Sequence, residues 1–359
     1  MDSKLNTEVF NDILTTNNNV ENRIVKVRAA SRLSFTLIDL NGEGGRRNGM
    51  ASLSLADPYF DAQICIADKN EVQIDEYTQD YKADIVALID KIQKKWQFPA
   101  IHIKVNCGLP NHSGFGSKTT SLLAISKAYA FLMNAKIPVA EFAELAGRGG
   151  TSGASVNLID SGGYLVDGGH ANPDDFNENP KRYLVPSKYA KTFKKPPVLI
   201  NMPFPEWPII LMITNGIKLH DQMEFDWFNQ TLPIPKAEAH RIAHHVLMHL
   251  STAIAEQDYV AFCNAINNLT FEQYFKRKQI ETQPASVQQL FQMSKQSSEI
   301  DAIGMSAFGP MCYAFSKKPE LALNWCKELQ LQGVIKSFWL SKAQNNPCIL
   351  QKIKGDLND

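Results

Sequence analysis

Gly108-Leu-Pro-Asn-His-Ser-Gly114-Phe-Gly116-Ser117-Lys118-Thr-Thr120 is the stretch that decides the fold. A strand-like run, Ile101-His-Ile-Lys-Val105, precedes it, and a helix-like run over 121–132 follows. That order places unpartnered backbone N–H groups at a helix N-terminus, where the helix dipole also favours an anion. Glycine lets a phosphate approach the backbone because no Cβ intervenes. The loop is not a Walker A motif, which has Gly where Ser117 stands. It is not a dinucleotide fingerprint either, since Gly114-x-Gly116 lacks a third glycine three residues on. A turn into a core helix explains these glycines equally well on their own. A second cluster, Gly147-Arg148-Gly149-Gly150-Thr-Ser152-Gly153, shifts the reading toward a phosphorylated small molecule.

The 359 residues suit one large or two medium domains. Lys plus Arg and Asp plus Glu are equal at 37 each, which argues against a general nucleic-acid or membrane-surface binder while permitting a local basic pocket. Six cysteines without a CxxC spacing point to a reduced, cytoplasmic protein. The polar, Asn-rich start does not read as a signal peptide. The longest apolar region, 196–213, is broken by Pro203, Pro205 and Pro208, so no membrane span is expected.

Outward from the loop, strands are expected at 24–27, 34–40, 51–55 and 63–67, and a helix at 84–94 from the spacing of Ile85, Leu88, Ile89 and Ile92. A short helix over 141–146 ends at Gly147. The stretch 157–166 reads as short strands around a Gly162-Gly163 turn, and 171–196 as a polar excursion or linker. Strands of a second unit are expected at 198–201 and 209–214, and helices at 236–257, 259–269, 287–297 and 320–331. Further strands fall at 311–315 and 334–340. Mixed strands and helices in both halves favour α+β with antiparallel pairing. The expected organisation is a polar tail (1–22), an N-terminal unit with the phosphate loop (23–195) and a C-terminal unit (196–359).

Three loops in this order resemble the GHMP kinase superfamily: Pro110-x-x-x-Gly114-x-Gly116-Ser117, the middle Gly/Ser loop, and Gly304-Met-Ser306-Ala-Phe308-Gly309-Pro310. Within it the chain is similar to the β-ribofuranosylaminobenzene 5′-phosphate synthase family. Ser31-Arg32-Leu33-Ser34-Phe35-Thr36-Leu37-Ile38-Asp39-Leu40 and Asp167-Gly168-Gly169-His170 are the most specific matches. The resemblance implies a GHMP-kinase-like fold, with a ribosomal-S5-domain-2-like N-terminal unit and a ferredoxin-like C-terminal unit. It implies ribosyl transfer from phosphoribosyl pyrophosphate to 4-aminobenzoate or a 4-hydroxy analogue, with loss of CO2 and pyrophosphate. It also implies Mg2+ and a homodimer. Two positions depart from the family pattern: Ser34 stands where His is usual, and Lys118 where the loop usually continues with Gly.

Breaking the C1–pyrophosphate bond develops negative charge on the leaving group, which needs fixed donors or a metal. The phosphate set expected from the resemblance comprises Pro110, His112, Ser113, Gly114, Gly116, Ser117, Lys118, Thr119, Arg148, Ser152, Gly153 and Ser306. The catalytic set comprises Asp167, His170, Asp39 and Arg32, with Asp167 and Asp160 as Mg2+ ligands. His170 or His112 would move a proton on the para substituent. Competing readings make Arg32 a surface residue, Asp39 a turn acid, His170 a turn cap and Ser306 a turn residue. The rival activity is an ATP-dependent small-molecule kinase. Such kinases carry a carboxylate in the middle loop, and here no acid occurs before Asp160. A non-catalytic phosphometabolite-binding relative is the third reading. His240, His244, His245 and His249 form two i,i+4 pairs on one expected helix, but without a third ligand they read as packing or solvated residues.

Overall fold

The structure, a computed structural model, describes residues 23–186, 189–190, 194–216 and 221–354; the expected N-terminal tail lies outside them. Two long strands, β1 (Arg23–Asp39) and β2 (Arg46–Ile66), form an antiparallel hairpin. Each unites what reads in the sequence as two separate strands. Register shifts between Ala30 and Ser31 and between Ser34 and Thr36 interrupt the pairing without ending it. The two halves of β1 serve different cores. Val25, Val27 and Ala29 pack into one apolar cluster, whereas Leu33, Phe35 and Leu37 pack into another.

The larger sheet continues with β3 (Glu71–Gln73), β4 (Ile101–Cys107), β5 (Tyr164–Asp167), β6 (His170–Ala171) and β7 (Val198–Met202). The second sheet contains β8 (Ile209–Thr214), β9 (Ala302–Met305), β10 (Met311–Phe315) and β11 (Ile335–Ser341), in the order β11-β8-β10-β9 and antiparallel throughout. The last strand, β12 (Ile349–Lys354), returns to pair with β1 in the larger sheet. Thus β7 and β12 join the first sheet, although both follow position 196. Hydrogen bonding decides membership here, and β7 pairs with β5.

Helices α1 (Lys82–Trp96), α2 (Ser117–Leu132), α3 (Val139–Leu145) and α4 (Ala154–Ser161) accompany the larger sheet. α2 is buried along almost its whole circumference, as a helix packed between a sheet and other helices must be. The residues 154–161 are helical, not a strand; apolar Val156, Leu158 and Ile159 fit either period over so short a run. Further on come α5 (Asp221–Thr231), α6 (Lys236–His245), a π-helical turn (Val246–Ser251) and α7 (Thr252–Ala255). They are followed by α8 (Tyr259–Phe271), α9 (Tyr274–Glu281), α10 (Ala285–Ser294) and α11 (Pro319–Leu331). The expected His245/His249 pair forms, and the π turn adds His244 to it. His245 stacks on His249 at 4.9 Å, and His244 meets the same ring at 5.5 Å.

The two sheets share one core. On β8, Ile209 and Leu211 face the cluster containing Phe35 and Leu53, while Ile210 and Met212 face α10 and α11. This is strand alternation serving two layers at once. Phe35 meets Tyr313 edge-on at 5.7 Å across the junction. The stretch 171–186, read as a linker, is packed instead: Phe176, Leu184 and Val185 are buried. No helix among the described residues is long and apolar enough to cross a membrane.

Candidate active site

The phosphate loop runs from β4 into α2 and is held from both sides. Ser117 Oγ donates to the Pro110 carbonyl at 2.6 Å, closing the loop on itself. Gly116 caps α2 with φ +73°, and a Cβ there would lie 2.5 Å from Ser155 Oγ and 2.8 Å from Arg32 Cγ. The glycine is therefore required both by conformation and by the arginine lying across it. From the other side, Ser306 Oγ donates to the Gly114 carbonyl at 2.9 Å and accepts from the Ser34 N–H at 3.0 Å. One hydroxyl thus joins β1, the phosphate loop and the late loop.

These loops wall a cavity of about 500 Å³, within the usual range for small-molecule sites. Its polar part presents Ser113, Gly114, Gly116, Ser117, Arg32 and Arg148. Burial lowers the Arg32 guanidinium to about 10, with a further contribution from Arg148, and its Nη1 is buried without a hydrogen-bond partner. Burial also lowers Arg148, whose Nε donates to Thr119 Oγ1 at 2.7 Å. Two half-buried guanidiniums beside a helix N-terminus make a strongly anion-attracting surface. The apolar part presents Leu37, Met50, Phe228, Phe275 and Phe308. Phe308 lies 5.5 Å from Phe228 and 6.0 Å from Phe275.

A chain described as Beta-ribofuranosylphenol 5′-phosphate synthase, from Methanothermobacter thermautotrophicus, is 32% identical over 302 residues, which is 82% of this chain and 89% of that one. This chain belongs to that synthase family. Its members are enzymes of the pentosyltransferase type, and this protein is one of them. The counterpart from Methanocaldococcus jannaschii is 29% identical over 333 residues, covering 89% of this chain and 98% of that one. The family described as GHMP kinases N terminal domain matches residues 83–160. A homoserine kinase from Cytophaga hutchinsonii superposes with a TM-score of 0.64 at 14% identity, over 91% of this chain and 97% of that one. That likeness shows the GHMP fold alone.

In this synthase-family member the cavity gathers only part of the expected residues. Arg32, His112, Ser113, Gly114, Gly116, Ser117, Lys118, Arg148 and Ser152 line it. Lys118 is held at the rim by Asp84 at 2.7 Å, so its charge is partly answered within the protein. Pro110, Thr119, Gly153 and Ser306 are not lining residues; the first, second and fourth act by hydrogen-bonding those that are.

The acids are corrected more strongly. Asp167 is fully buried behind the cavity, where Oδ1 accepts from Gly169 N–H at 3.0 Å and Oδ2 from Gly153 N–H at 3.1 Å. Burial raises this carboxyl to about 7. It ties the middle loop to β5 and offers the cavity no free oxygen. Asp160 lies on α4 in an ion pair with Lys127, away from the cavity. Asp39 Oδ1 accepts from the N–H groups of Asn41 and Gly42 at 2.9 and 2.8 Å, the turn-acid geometry. His170 is buried on β6 outside the cavity, and burial with nearby Arg47 lowers its imidazole to about 4.

Sequence reading missed α5 and α9, which carry Glu224 and Phe228, and Phe275, Lys276 and Gln279, to the cavity wall. Lys276 stands in Lys276-Arg277-Lys278, a run that looks solvated. The available signal was Lys276 three residues before Gln279, one face of a short helix. Among the described residues no cluster of three or more His, Cys, Asp or Glu is placed to hold a metal ion.

Proposed function

We propose that this enzyme transfers a ribosyl 5-phosphate group from phosphoribosyl pyrophosphate to 4-hydroxybenzoate, releasing CO2 and pyrophosphate. The observation that carries this reading is the Arg32 guanidinium, with its Nη1 buried and unpartnered, on one cavity wall with Arg148 and the glycine loop. Glu224 answers part of this positive charge, and the diphosphate of the donor would supply the rest. The phenylalanine-lined part suits a flat arene. The relatives' name, a ribofuranosylphenol 5′-phosphate synthase, favours the hydroxy acceptor over 4-aminobenzoate.

Chemically, the C1–O bond of the donor breaks with its electron pair passing to pyrophosphate. The arene carbon bearing the carboxylate bonds to C1, and loss of CO2 returns the C–C electron pair to the ring. Loop N–H groups at 113–117, Arg32 and Arg148 stabilise the departing charge in place of water. The donor set fits Mg2+ only as an ion carried mainly by diphosphate oxygens, with Glu224 or Asp80 as the carboxylate on the cavity wall. Such an ion would supply charge neutralisation on the leaving group.

The test is release of pyrophosphate and CO2 from purified protein with Mg2+, phosphoribosyl pyrophosphate and 4-hydroxybenzoate, beside 4-aminobenzoate and an ATP-only control. Coupled release of both products with the hydroxy acid is expected. ADP formation with hydroxyl acceptors and no pyrophosphate release would move the protein to the kinases. Silence in every mixture would favour a binding-only relative.

A further inference from the structure

Lys276 is 2% exposed on α9, and among the described residues its Nζ donates to one acceptor, the Met305 carbonyl at 2.8 Å. An ammonium has three donors. Among the described residues the charge that acts on it most is the Arg32 guanidinium, a second cation; the Cys312 thiol, pushed up to about 12 by burial, is neutral. A buried lysine on a cavity wall, with a second cation acting on it, suits an anionic or proton-donating ligand. One turn further, Gln279 is 1% exposed and also lines the cavity; its Nε2 donates to the Ala307 carbonyl at 3.3 Å, and its Oε1 is buried without a partner. Lys276 Nζ lies 5.8 Å from the centre of the Phe275 ring, that ring meets Phe308 at 6.0 Å, and all of them line the same cavity.

We propose that Lys276 and Gln279 form the acceptor subsite, in which they engage the para-hydroxyl of the arene and Lys276 takes its proton. This rests on the ribosyl-transfer reading and names the group that activates the acceptor. The hydroxyl of 4-hydroxybenzoate gives its proton to the neutral amine, leaving a phenolate and an ammonium. The phenolate electron pair moves through the ring to the carbon that bonds to C1. After CO2 leaves, the ring again carries a phenolate, and the ammonium returns the proton. Burial brings the Lys276 amine down to about 7, where it exchanges a proton near neutral pH. An arylamine is not an acid of this kind and would leave the pair mismatched, so the subsite selects hydroxyarenes.

The probes are 4-hydroxybenzoate, whose ultraviolet spectrum moves to longer wavelength on ionisation, and inorganic pyrophosphate, whose binding is read by calorimetry. At pH 7 the wild-type protein is expected to shift bound 4-hydroxybenzoate toward the phenolate spectrum. Lys276→Met should lose that shift and lower kcat by about 10²-fold or more, while pyrophosphate affinity changes by less than about 3-fold. Lys276→Gln, which keeps a polar group, provides the same comparison if the Met variant folds poorly. A retained phenolate spectrum in both variants, a selective loss of pyrophosphate binding, or wild-type turnover of 4-aminobenzoate at the same rate would overturn the proposal. A wild-type phenolate shift without product from phosphoribosyl pyrophosphate would leave the Lys276 assignment standing and sink the transfer reaction instead.

Discussion

Arg32 combines a buried Nη1, an open donor and contact with Gly116, so its replacement separates binding from folding. Arg32→Met should lower kcat/KM for the donor by about 10²–10³-fold, the loss seen when a fixed donor to a leaving oxyanion is removed. Steady-state kinetics with varied phosphoribosyl pyrophosphate check this, and an unchanged value would show that the guanidinium has another task. Lys276 carries a pH signature as well. Its folded value of about 7 lies below the unfolded one, so the stability it contributes is present above the unfolded value and lost as pH falls toward about 7. Lys276→Met should therefore melt higher than wild type at pH 7, with a gain that shrinks toward pH 10.5. Thermal denaturation across that range reads the sign directly.

At the level of elements, the middle loop and β5 depend on Asp167 rather than being served by it as a catalyst. Asp167→Asn loses one acceptor for two backbone N–H groups and should destabilise the protein by about 1–3 kcal/mol. Activity should fall mainly through KM, because Ser152 and Arg148 are displaced while no reacting group is removed. Denaturant titration and kinetics together test this; a fully stable but inactive variant would restore a catalytic role. Asp167 and His170 oppose each other in pH dependence. The raised Asp167 contributes stability present below its unfolded value and lost as pH rises through about 7. The depressed His170 contributes stability present above its unfolded value and lost as pH falls through about 4. His170→Gln should accordingly flatten the acid limb of the melting profile. Gly116→Ala should cost about 1–2 kcal/mol from left-handed backbone alone, before the contact with Arg32 is counted.

Across the whole molecule, the site exists because two sheets meet over one core. Ser306 is the smallest tie across that junction, joining β1, the phosphate loop and the late loop. Ser306→Ala would leave the Ser34 N–H and the Gly114 carbonyl without this partner in a buried setting, a loss of about 1–3 kcal/mol. It should also raise the donor KM, since the loop that holds the phosphate is no longer fixed from the C-terminal side. Calorimetric unfolding and donor titration measure both effects. An unchanged melting temperature would show that the junction is held by apolar packing alone.

The anion loop, its helix and the two arginines were legible from sequence because each depends on local rules: a strand, glycines with left-handed backbone and a helix N-terminus occupy one short stretch. The specific runs around Arg32 and Asp167-Gly168-Gly169-His170 likewise carried the family. What sequence could not rank were the acids. Asp167, Asp160 and Asp39 are the same residue type near glycines, and only their partners distinguish a buried loop tie, a surface ion pair and a turn. The fusion of paired strands across bulges and the return of β12 to β1 also depend on long-range hydrogen bonding, which no window of sequence contains. The acceptor wall was invisible for the same reason. Lys276 and Gln279 look like surface residues on a short polar helix, and only the packing of α9 against the junction of two sheets buries them beside the phosphate loop.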